Sequence, residues 1–147
     1  MTNVDYDAMN EWNKSIVDEF RANAGRVGGP FEGRPMVLLT IKGRTSGKER
    51  TTPLVYLPDP EPGGERVIVF GSKAGAPDHP DWYKNLVANP DVELVVDDER
   101  RLMRARTASA AEKAELWPRI VSVYKGYDGY QRSTERDIPV VILEPRR

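Results

Sequence analysis

The sequence predicts an α+β fold in which a barrel-like sheet of about six mostly antiparallel strands is accompanied by three helices. Six short runs rich in apolar and β-branched residues are separated by turn-forming residues, which is the pattern of buried strands. Three longer stretches place apolar residues three or four positions apart, as amphipathic helices do. A chain of 147 residues suits one modest core, so we expect a single domain over 1–147, with a helical part at 1–25 and the sheet within 35–147.

The first predicted helix runs from about Asp5 to Ala24, and Gly25 is its predicted stop. Its apolar residues form one stripe, made of Met9, Trp12, Ile16, Val17 and Phe20. We expect this stripe to pack on the protein's own sheet. The alternatives are a lid over a substrate or a contact with a membrane surface, and the acidic polar face of the helix argues against binding to anionic lipid.

The other two helices have recognisable start signals. One is predicted over about 80–89, with Trp82 and Leu86 on the side that faces the barrel. The last begins with the capping-box pattern at 109–112. Pro118 lies inside this last helix. Because proline lacks the N–H donor and clashes with the preceding turn, we expect a kink or a restart at that point.

The six predicted strands span about 36–42, 50–58, 65–71, 91–96, 100–107 and 138–143. A proline- and glycine-rich turn separates the second strand from the third. Pro53 lies inside the second predicted strand and has no N–H group to donate to a neighbour. The second strand should therefore lie at an edge of the sheet or contain a bulge at this residue.

Composition excludes several classes of function. The net charge of −1 gives no overall basic field for nucleic acid, and the absence of cysteine excludes disulfides and thiolate metal sites. His79 is the single histidine, so the sequence offers no metal-ligand cluster, and a Ser-His-Asp hydrolase would depend on that one side chain. No apolar run reaches the length of a transmembrane helix. We expect a cytoplasmic protein that acts on a small molecule.

The stretch from Lys42 to Arg50 holds two glycines, two small hydroxyl side chains and four cationic residues in a bend between two predicted strands. Glycine permits positive φ, so successive backbone N–H groups could turn inward and form an anion-binding nest, with Ser46, Arg44 and Arg50 adding side-chain donors. This is chemistry suited to phosphate. The alternative is an ordinary polar turn with solvated charges.

Two further motifs follow the phosphate-type loop in the chain. They are Gly71-Ser72-Lys73-Ala74-Gly75-Ala76 with Pro80-Asp81-Trp82-Tyr83-Lys84-Asn85-Leu86, and then Tyr124, Tyr127 and Tyr130. In order and spacing the three motifs resemble the deazaflavin-dependent nitroreductase family, which includes quinone reductases. The resemblance implies a split β-barrel and an oxidoreductase that transfers a hydride from reduced coenzyme F420 to a quinone, a nitro compound or an activated alkene. An FMN-dependent split-barrel oxidoreductase and a non-catalytic F420 carrier are the alternatives.

The resemblance also implies which residues form the site. Those expected to bind the cofactor are Lys42, Arg44, Thr45, Ser46, Gly47, Arg50, Thr52, Pro53, Phe70, Gly71, Ser72, Lys73, Trp82 and Asn85. Those expected to line the substrate pocket are Trp12, Val55, Tyr124, Tyr127 and Tyr130. Tyr130 and Ser72 are the candidate catalytic residues, because their hydroxyls could donate to the charge that develops on the acceptor.

Some of these residues have a purely structural alternative. Gly71 and its neighbours could form a β-bulge, and Tyr124 continues the apolar stripe of the last helix and could cap the core. Thr45, Thr52 and Val55 differ from the residues of the best-known nitroreductase, so activity on bulky nitroimidazoles is not assumed. A monomer is favoured over a homodimer.

Overall fold

The computed structural model describes residues 6–29, 35–45, 47–71, 79–124, 129, 131–132 and 137–146, with side chains of the first helix described from Lys14 onward. The elements in chain order are α1 Tyr6–Ala22, β1 Met36–Lys42, β2 Glu49–Val55, β3 Leu57–Pro58, β4 Val67–Phe70, α2 Asp81–Ala88, β5 Asp91–Val96, β6 Glu99–Thr107, α3 Ala110–Val123 and β7 Val140–Pro145.

The seven strands form one sheet in the order β2-β1-β5-β6-β7-β4-β3, and every pairing is antiparallel. β2 lies at one edge of this order and β3 at the other, yet Tyr56 alone separates them in the chain. The sheet must therefore curl until its two edges are one residue apart. This confirms the predicted α+β split barrel.

The predicted strand 50–58 is two strands because Tyr56 makes its backbone bonds outside the ladder. Its N–H donates to the carbonyl of Pro35 at 3.2 Å, and its carbonyl accepts the Tyr124 hydroxyl at 2.8 Å. The structure therefore describes seven strands where about six were predicted. Pro53 lies in the edge strand β2, where no neighbour needs its missing donor, as predicted.

Three apolar clusters hold the elements together. The barrel core consists of Val37, Leu39, Ile41, Val67, Val69, Leu86, Val92, Leu94, Val96, Met103, Ala105, Val141 and Leu143. The α3 cluster consists of Leu57, Ile68, Phe70, Leu116, Ile120, Tyr124, Val140 and Ile142. The α1 cluster consists of Ile16, Val17, Phe20, Val27, Met36 and Leu38. Both surfaces of the curled sheet are thus packed, one on its own interior and the other on the flanking helices.

The three residues of the α1 apolar stripe whose side chains are described pack on the protein's own sheet, as expected. Ile16, Val17 and Phe20 all belong to the α1 cluster. The helix ends as predicted near Gly25, which has φ +96° and donates its N–H to the Phe20 carbonyl at 2.9 Å.

α3 runs as one helix from Ala110 to Val123, so the helix does not restart at Pro118, and a kink at this residue stays a prediction. Leu116 and Ile120 flank the proline and are both buried. Their packing in the α3 cluster outweighs the loss of a single backbone hydrogen bond. The capping box at its start is confirmed, since Ser109 Oγ accepts from the Glu112 N–H and the Glu112 carboxylate accepts from the Ser109 N–H.

Within the described residues, no helix has the length and apolar character needed to cross a membrane.

Candidate functional site

The candidate site begins at the loop between β1 and β2. Gly43 donates its N–H to the Lys48 carbonyl at 2.8 Å, and Gly47 donates to the Gly43 carbonyl at 3.0 Å. Gly47 has φ +70°, a conformation that favours glycine. The loop is therefore closed by its own backbone, and the cationic residues Lys42, Arg44, Lys48 and Arg50 are exposed around it.

The predicted backbone nest is wrong for three of the loop's N–H groups. Gly43 and Gly47 donate within the loop, and Arg44 donates its backbone N–H to Asn85 Oδ1 at 3.1 Å. Each donor is already paired with a protein acceptor. In this loop an anion would be held by side chains rather than by these backbone amides.

Helix α2 anchors the loop through polar side chains spaced four residues apart. Asn85 Oδ1 accepts from the Arg44 backbone and also from Arg44 Nη1, the latter at 2.7 Å. Asn89 Nδ2 donates to the Lys42 carbonyl at 3.2 Å. Asp81 Oδ1 lies 3.6 Å from Arg44 Nη2. Positions 81, 85 and 89 follow one another along a single face of the helix, so this face meets the loop along its length.

The adjacent face of α2 fixes the helix in the barrel. Leu86 is buried in the barrel core and Trp82 packs against it, as the sequence predicted. Asn85 is 5% exposed, although it is polar. A buried carboxamide is tolerated because Arg44 satisfies its oxygen twice. The packing of α2 therefore determines where the guanidinium of Arg44 lies.

Strand β2 divides its candidate residues between two faces. Arg50 and Thr52 lie opposite Ile41 and Leu39, so they share the face of the barrel core. Pro53 lies opposite Leu38 and Val55 opposite Met36, which puts both on the face of the α1 cluster. Two of the three cofactor candidates on β2, Arg50 and Thr52, thus share a face. The third, Pro53, and the substrate candidate Val55 lie on the side that α1 covers.

A second group of candidates lies in the interior, away from the charged loop. The rings of Phe70 and Tyr124 are 5.7 Å apart in the α3 cluster, and Val55 packs against the same cluster. Tyr124 is 4% exposed and its hydroxyl donates to the Tyr56 carbonyl. This is the core-capping arrangement weighed from the sequence. The structure brings Val55, Phe70 and Tyr124 together, and their roles toward substrate or cofactor stay predictions.

Gly71 is required for close packing. A Cβ at this position would lie 3.0 Å from Pro139 Cγ and 3.3 Å from Pro80 Cδ. Its N–H donates to the Pro139 carbonyl at 2.9 Å. The two proline rings occupy the direction in which a side chain would point, so a larger residue would not fit, and the predicted role of Gly71 beside a flat ring stays a prediction.

Comparison with known proteins assigns the family. The model of the F420H(2)-dependent quinone reductase family matches residues 12–145. The chain belongs to the F420H(2)-dependent quinone reductase family. A provisionally named F420H(2)-dependent quinone reductase of Mycobacterium tuberculosis is 45% identical over 112 residues, which is 76% of this chain and 91% of that protein. The resemblance inferred from the sequence is confirmed, and the family is one of oxidoreductases.

Solved structures agree. The F420-H2 dependent reductase FDR-A superposes with a TM-score of 0.67 and 38% identity, covering 76% of this chain and 95% of its own. A domain-swapped dimer with 32% identity superposes with a TM-score of 0.69, covering 96% of this chain and all of its own. Coenzyme F420 is the cofactor of the family, which favours it over the FMN alternative.

The chemistry of the β1–β2 loop fits the anionic end of coenzyme F420. The cofactor carries a phosphate and an acidic tail, and the loop presents four exposed cationic side chains. Arg44 is held by a neutral carboxamide, so its positive charge is not cancelled by the group that positions it. The side chain of Arg44 is 39% exposed. The residues that would hold the phosphate are therefore Arg44, Lys42, Lys48 and Arg50.

Several residues of the family motifs lie outside the described part of the chain. They are Ser46, Ser72, Lys73, Tyr127 and Tyr130, together with the side chain of Trp12. Both candidate catalytic residues are in this group, and their roles stay predictions. Thr45 lies exposed in the loop and Thr52 is half-buried on β2.

Sequence reasoning missed the roles of Asp81 and Asn89 toward the loop. Both belong to segments noticed for other reasons, but neither was assigned to the site. The available signal was their spacing, because Asp81, Asn85 and Asn89 are polar residues at intervals of four on a helix whose other face is apolar. A polar stripe beside a buried one indicates a surface that meets another polar element.

Tyr56 was also missed. Its side chain is half-buried against the barrel core. Burial raises the pKa of its hydroxyl, and the charge of Asp97 raises the pKa further while Arg101 opposes that rise. The hydroxyl therefore stays protonated at neutral pH and can donate a hydrogen bond.

His79 has a structural environment. Its ring lies 5.0 Å from the ring of Tyr83 in an edge-on arrangement, and the Tyr83 hydroxyl is 2.9 Å from Thr107 Oγ1. Among the described residues, no group of three or more metal-ligating side chains occurs.

Proposed function

We propose that this protein transfers a hydride from reduced coenzyme F420 to a quinone, and that nitro compounds and activated alkenes are further acceptors. One observation carries the proposal beyond family membership. Asn85 fixes the guanidinium of Arg44 with a neutral oxygen, so the residue that orients this positive charge adds no negative charge of its own. This is the arrangement that an anionic cofactor requires.

The anionic end of the cofactor would bind at the β1–β2 loop. Arg44 would donate to the phosphate through guanidinium N–H groups other than the one that Asn85 uses. Lys42 and Arg50, at the ends of the loop, would contribute charge to the phosphate and the acidic tail. Lys73 is proposed to support the tail. Because the loop is closed by its own hydrogen bonds, little ordering would be needed on binding.

Reduced coenzyme F420 supplies a hydride from C5 of its deazaflavin when it is bound. The chain's part is to hold the acceptor against the ring, to exclude water and to stabilise the charge that the acceptor gains. We propose that Val55, Trp12, Tyr127 and Tyr130 surround the acceptor. Tyr130 and Ser72 would donate hydrogen bonds to its oxygen, since a tyrosine hydroxyl is protonated at neutral pH.

The first experiment is a fluorescence-quenching titration of the purified protein with oxidised F420 and, separately, with FMN. An absorbance assay of reduced F420 then uses menadione, a nitroaromatic compound or no acceptor. The proposal predicts binding of F420 in preference to FMN, with oxidation that depends on menadione. Binding without oxidation would instead support a carrier, and a preference for FMN would contradict the cofactor.

Substitution of Arg44 tests the loop. Arg44→Ala should weaken F420 binding by about 5- to 150-fold, because a charge-assisted hydrogen bond contributes about 1–3 kcal/mol. Arg104→Ala is the matched control, since Arg104 is exposed on β6 and its ion pair with Asp91 spans 3.8 Å. Equal affinity of both variants and the unchanged protein would overturn the assignment of the loop.

We propose further that the enzyme works in the cytoplasm as a monomer. Light scattering at assay concentration checks the second statement, and a stable dimer would contradict it.

A further inference from the structure

The guanidinium of Arg44 is shared between two residues of α2 that differ in charge. Asn85 Oδ1 accepts from Arg44 Nη1 at 2.7 Å, whereas Asp81 Oδ1 lies 3.6 Å from Arg44 Nη2. Asn85 is buried and Asp81 is not, since 78% of the Asp81 side chain is exposed. One residue is a fixed neutral anchor, and the other is a solvated negative charge beside it.

The contacts of Arg44 with Asn85 and with Asp81 have different effects. The orientation of Arg44 depends on Asn85, because that bond is short, its acceptor is buried and the same oxygen also holds the Arg44 backbone. The Asp81 contact is long and exposed, so it adds little to orientation or stability. It does place the Asp81 carboxylate within about 4 Å of the Arg44 guanidinium. A phosphate that bound to this guanidinium would lie near the carboxylate, and the two negative groups would repel each other.

We propose that Asp81 lowers the affinity of the Arg44 site for anionic groups. Asp81 would thereby set how tightly the enzyme holds the phosphate and acidic tail of F420. The inference rests on the proposed function. A reductase of this kind must release oxidised cofactor and take up reduced cofactor in every turnover. A carboxylate that competes for Arg44 favours release without removing the positive charge that recognises the ligand.

The test compares Asp81→Asn with Asp98→Asn. Both substitutions remove one exposed carboxylate, but Asp98 lies in the turn between β5 and β6, outside the contacts of Arg44. The probe is oxidised F420, titrated by fluorescence quenching, with the deazaflavin riboside that lacks the phosphate as a second ligand. Melting temperatures check that each variant is folded, since Asp81 lies in the first turn of α2, where an acidic residue stabilises the helix.

Asp81→Asn should lower the dissociation constant for F420 by about 3- to 10-fold at low salt and lower the rate of dissociation. The gain should shrink in 0.5 M salt, because exposed charges are screened. Binding of the riboside should be unchanged. Asp98→Asn should leave the affinity for F420 within about twofold of the unchanged protein, and in an Arg44→Ala background the gain from Asp81→Asn should disappear.

Three results would overturn the inference. They are an unchanged or weaker affinity for F420 in Asp81→Asn, an equal gain in Asp98→Asn, and an equal gain for the riboside. If the first titration shows binding by the unchanged protein and a loss in Arg44→Ala, these results overturn the role of Asp81 alone. If the unchanged protein does not bind F420, the proposed function fails with it. Asp81→Ser replaces Asp81→Asn if the latter melts more than a few degrees lower.

Discussion

In the part of the chain that the structure describes, an arginine pairs with an acidic side chain in one turn and with an amide side chain in another, and the two arginines differ in how their charge is balanced. In the turn between β3 and β4, Arg66 pairs with Asp59. In the loop between β1 and β2, Arg44 pairs with Asn85. The residues are similar in kind, yet the first pair closes a turn and the second lies in the proposed binding site.

The Asp59 carboxylate is fully used by its own turn. It accepts from the Glu61 and Arg66 backbones and from Arg66 Nε and Nη2, at distances of 2.9 to 3.1 Å. The Asp59 side chain is 4% exposed. Hydrogen bonds from Arg66 lower the pKa of Asp59 to about 2. The opposite charges cancel within the turn, so Arg66 offers little to a ligand.

Arg44 is also held by a side-chain hydrogen bond, but the residue that accepts this bond carries no negative charge. Its partner is a neutral oxygen that comes from a helix 41 residues later in the chain. The nearby carboxylate of Asp81 is exposed and more distant. The comparison teaches that the charge of the anchoring residue decides whether an ordered arginine stabilises the fold or recognises an anion.

The stability of the protein at low pH should depend on Asp59. The folded pKa of Asp59 lies below its ordinary value of 3.8. Its contribution to the free energy of unfolding is therefore present above pH 4 and is lost as the pH falls toward 2. We expect a contribution of about 1–2 kcal/mol, which allows for partial solvent screening. Chemical denaturation between pH 2 and 7 measures it.

Asp59→Asn is the variant for that experiment. It should lose the contribution at pH 7, should depend less on pH between 4 and 2, and should bind F420 with unchanged affinity, because Arg66 does not serve the site. Glu61→Gln is the matched control, since the Glu61 side chain is exposed in the same turn. An equal loss of stability in both variants would contradict the role of Asp59.

The smallest expected effect concerns the second anchor of the β1–β2 loop. Asn89 Nδ2 donates to the Lys42 carbonyl at 3.2 Å in an exposed position, where water can replace it. Asn89→Ala should therefore change the affinity for F420 by about twofold or less. A tenfold loss of affinity for F420 in the same titration would mean that the loop depends on both Asn85 and Asn89. The contact between Asn85 and Arg44 would then not determine the affinity alone.

Much of the fold was predictable because local pattern determines it. β1 and β5 have the predicted bounds, α1 and α2 are within two residues of theirs, and the capping box of α3 formed as expected. The failures depend on distant residues. Tyr56 leaves the ladder because Pro35 and Tyr124 bind its backbone, and the helix continues through Pro118 because its neighbours are buried.

The sequence predicted the residue types of the candidate site but not how they are arranged. The motifs identified Arg44 and Asn85 as cofactor residues, but nothing local showed that the two would bond to each other. That bond removes the Arg44 amide from the predicted nest. Gly71 was assigned to the cofactor site from its motif. The motif did not show that Gly71 packs against Pro80 and Pro139, which lie 9 and 68 positions further along the chain. Contacts between residues distant in the chain therefore determine the surroundings of Arg44 and Gly71, which the motifs alone do not show.

We infer that the neutrality of Asn85 keeps Arg44 available for an anion. Asn85→Asp tests it most directly, because it retains the size of the side chain and converts the anchor into the kind found at Asp59. We expect a folded protein whose affinity for F420 is lower by about tenfold or more, since a buried carboxylate would neutralise Arg44.

The decisive measurement is the F420 titration of Asn85→Asp in the natural background and in Arg44→Ala. We expect the affinity for F420 to fall by about tenfold or more in the natural background, and to change by about twofold or less in Arg44→Ala, where no guanidinium remains to be neutralised. An unchanged affinity in the natural background would contradict it. So would an equal loss in both backgrounds, which would mean that Asn85 acts on the cofactor without Arg44.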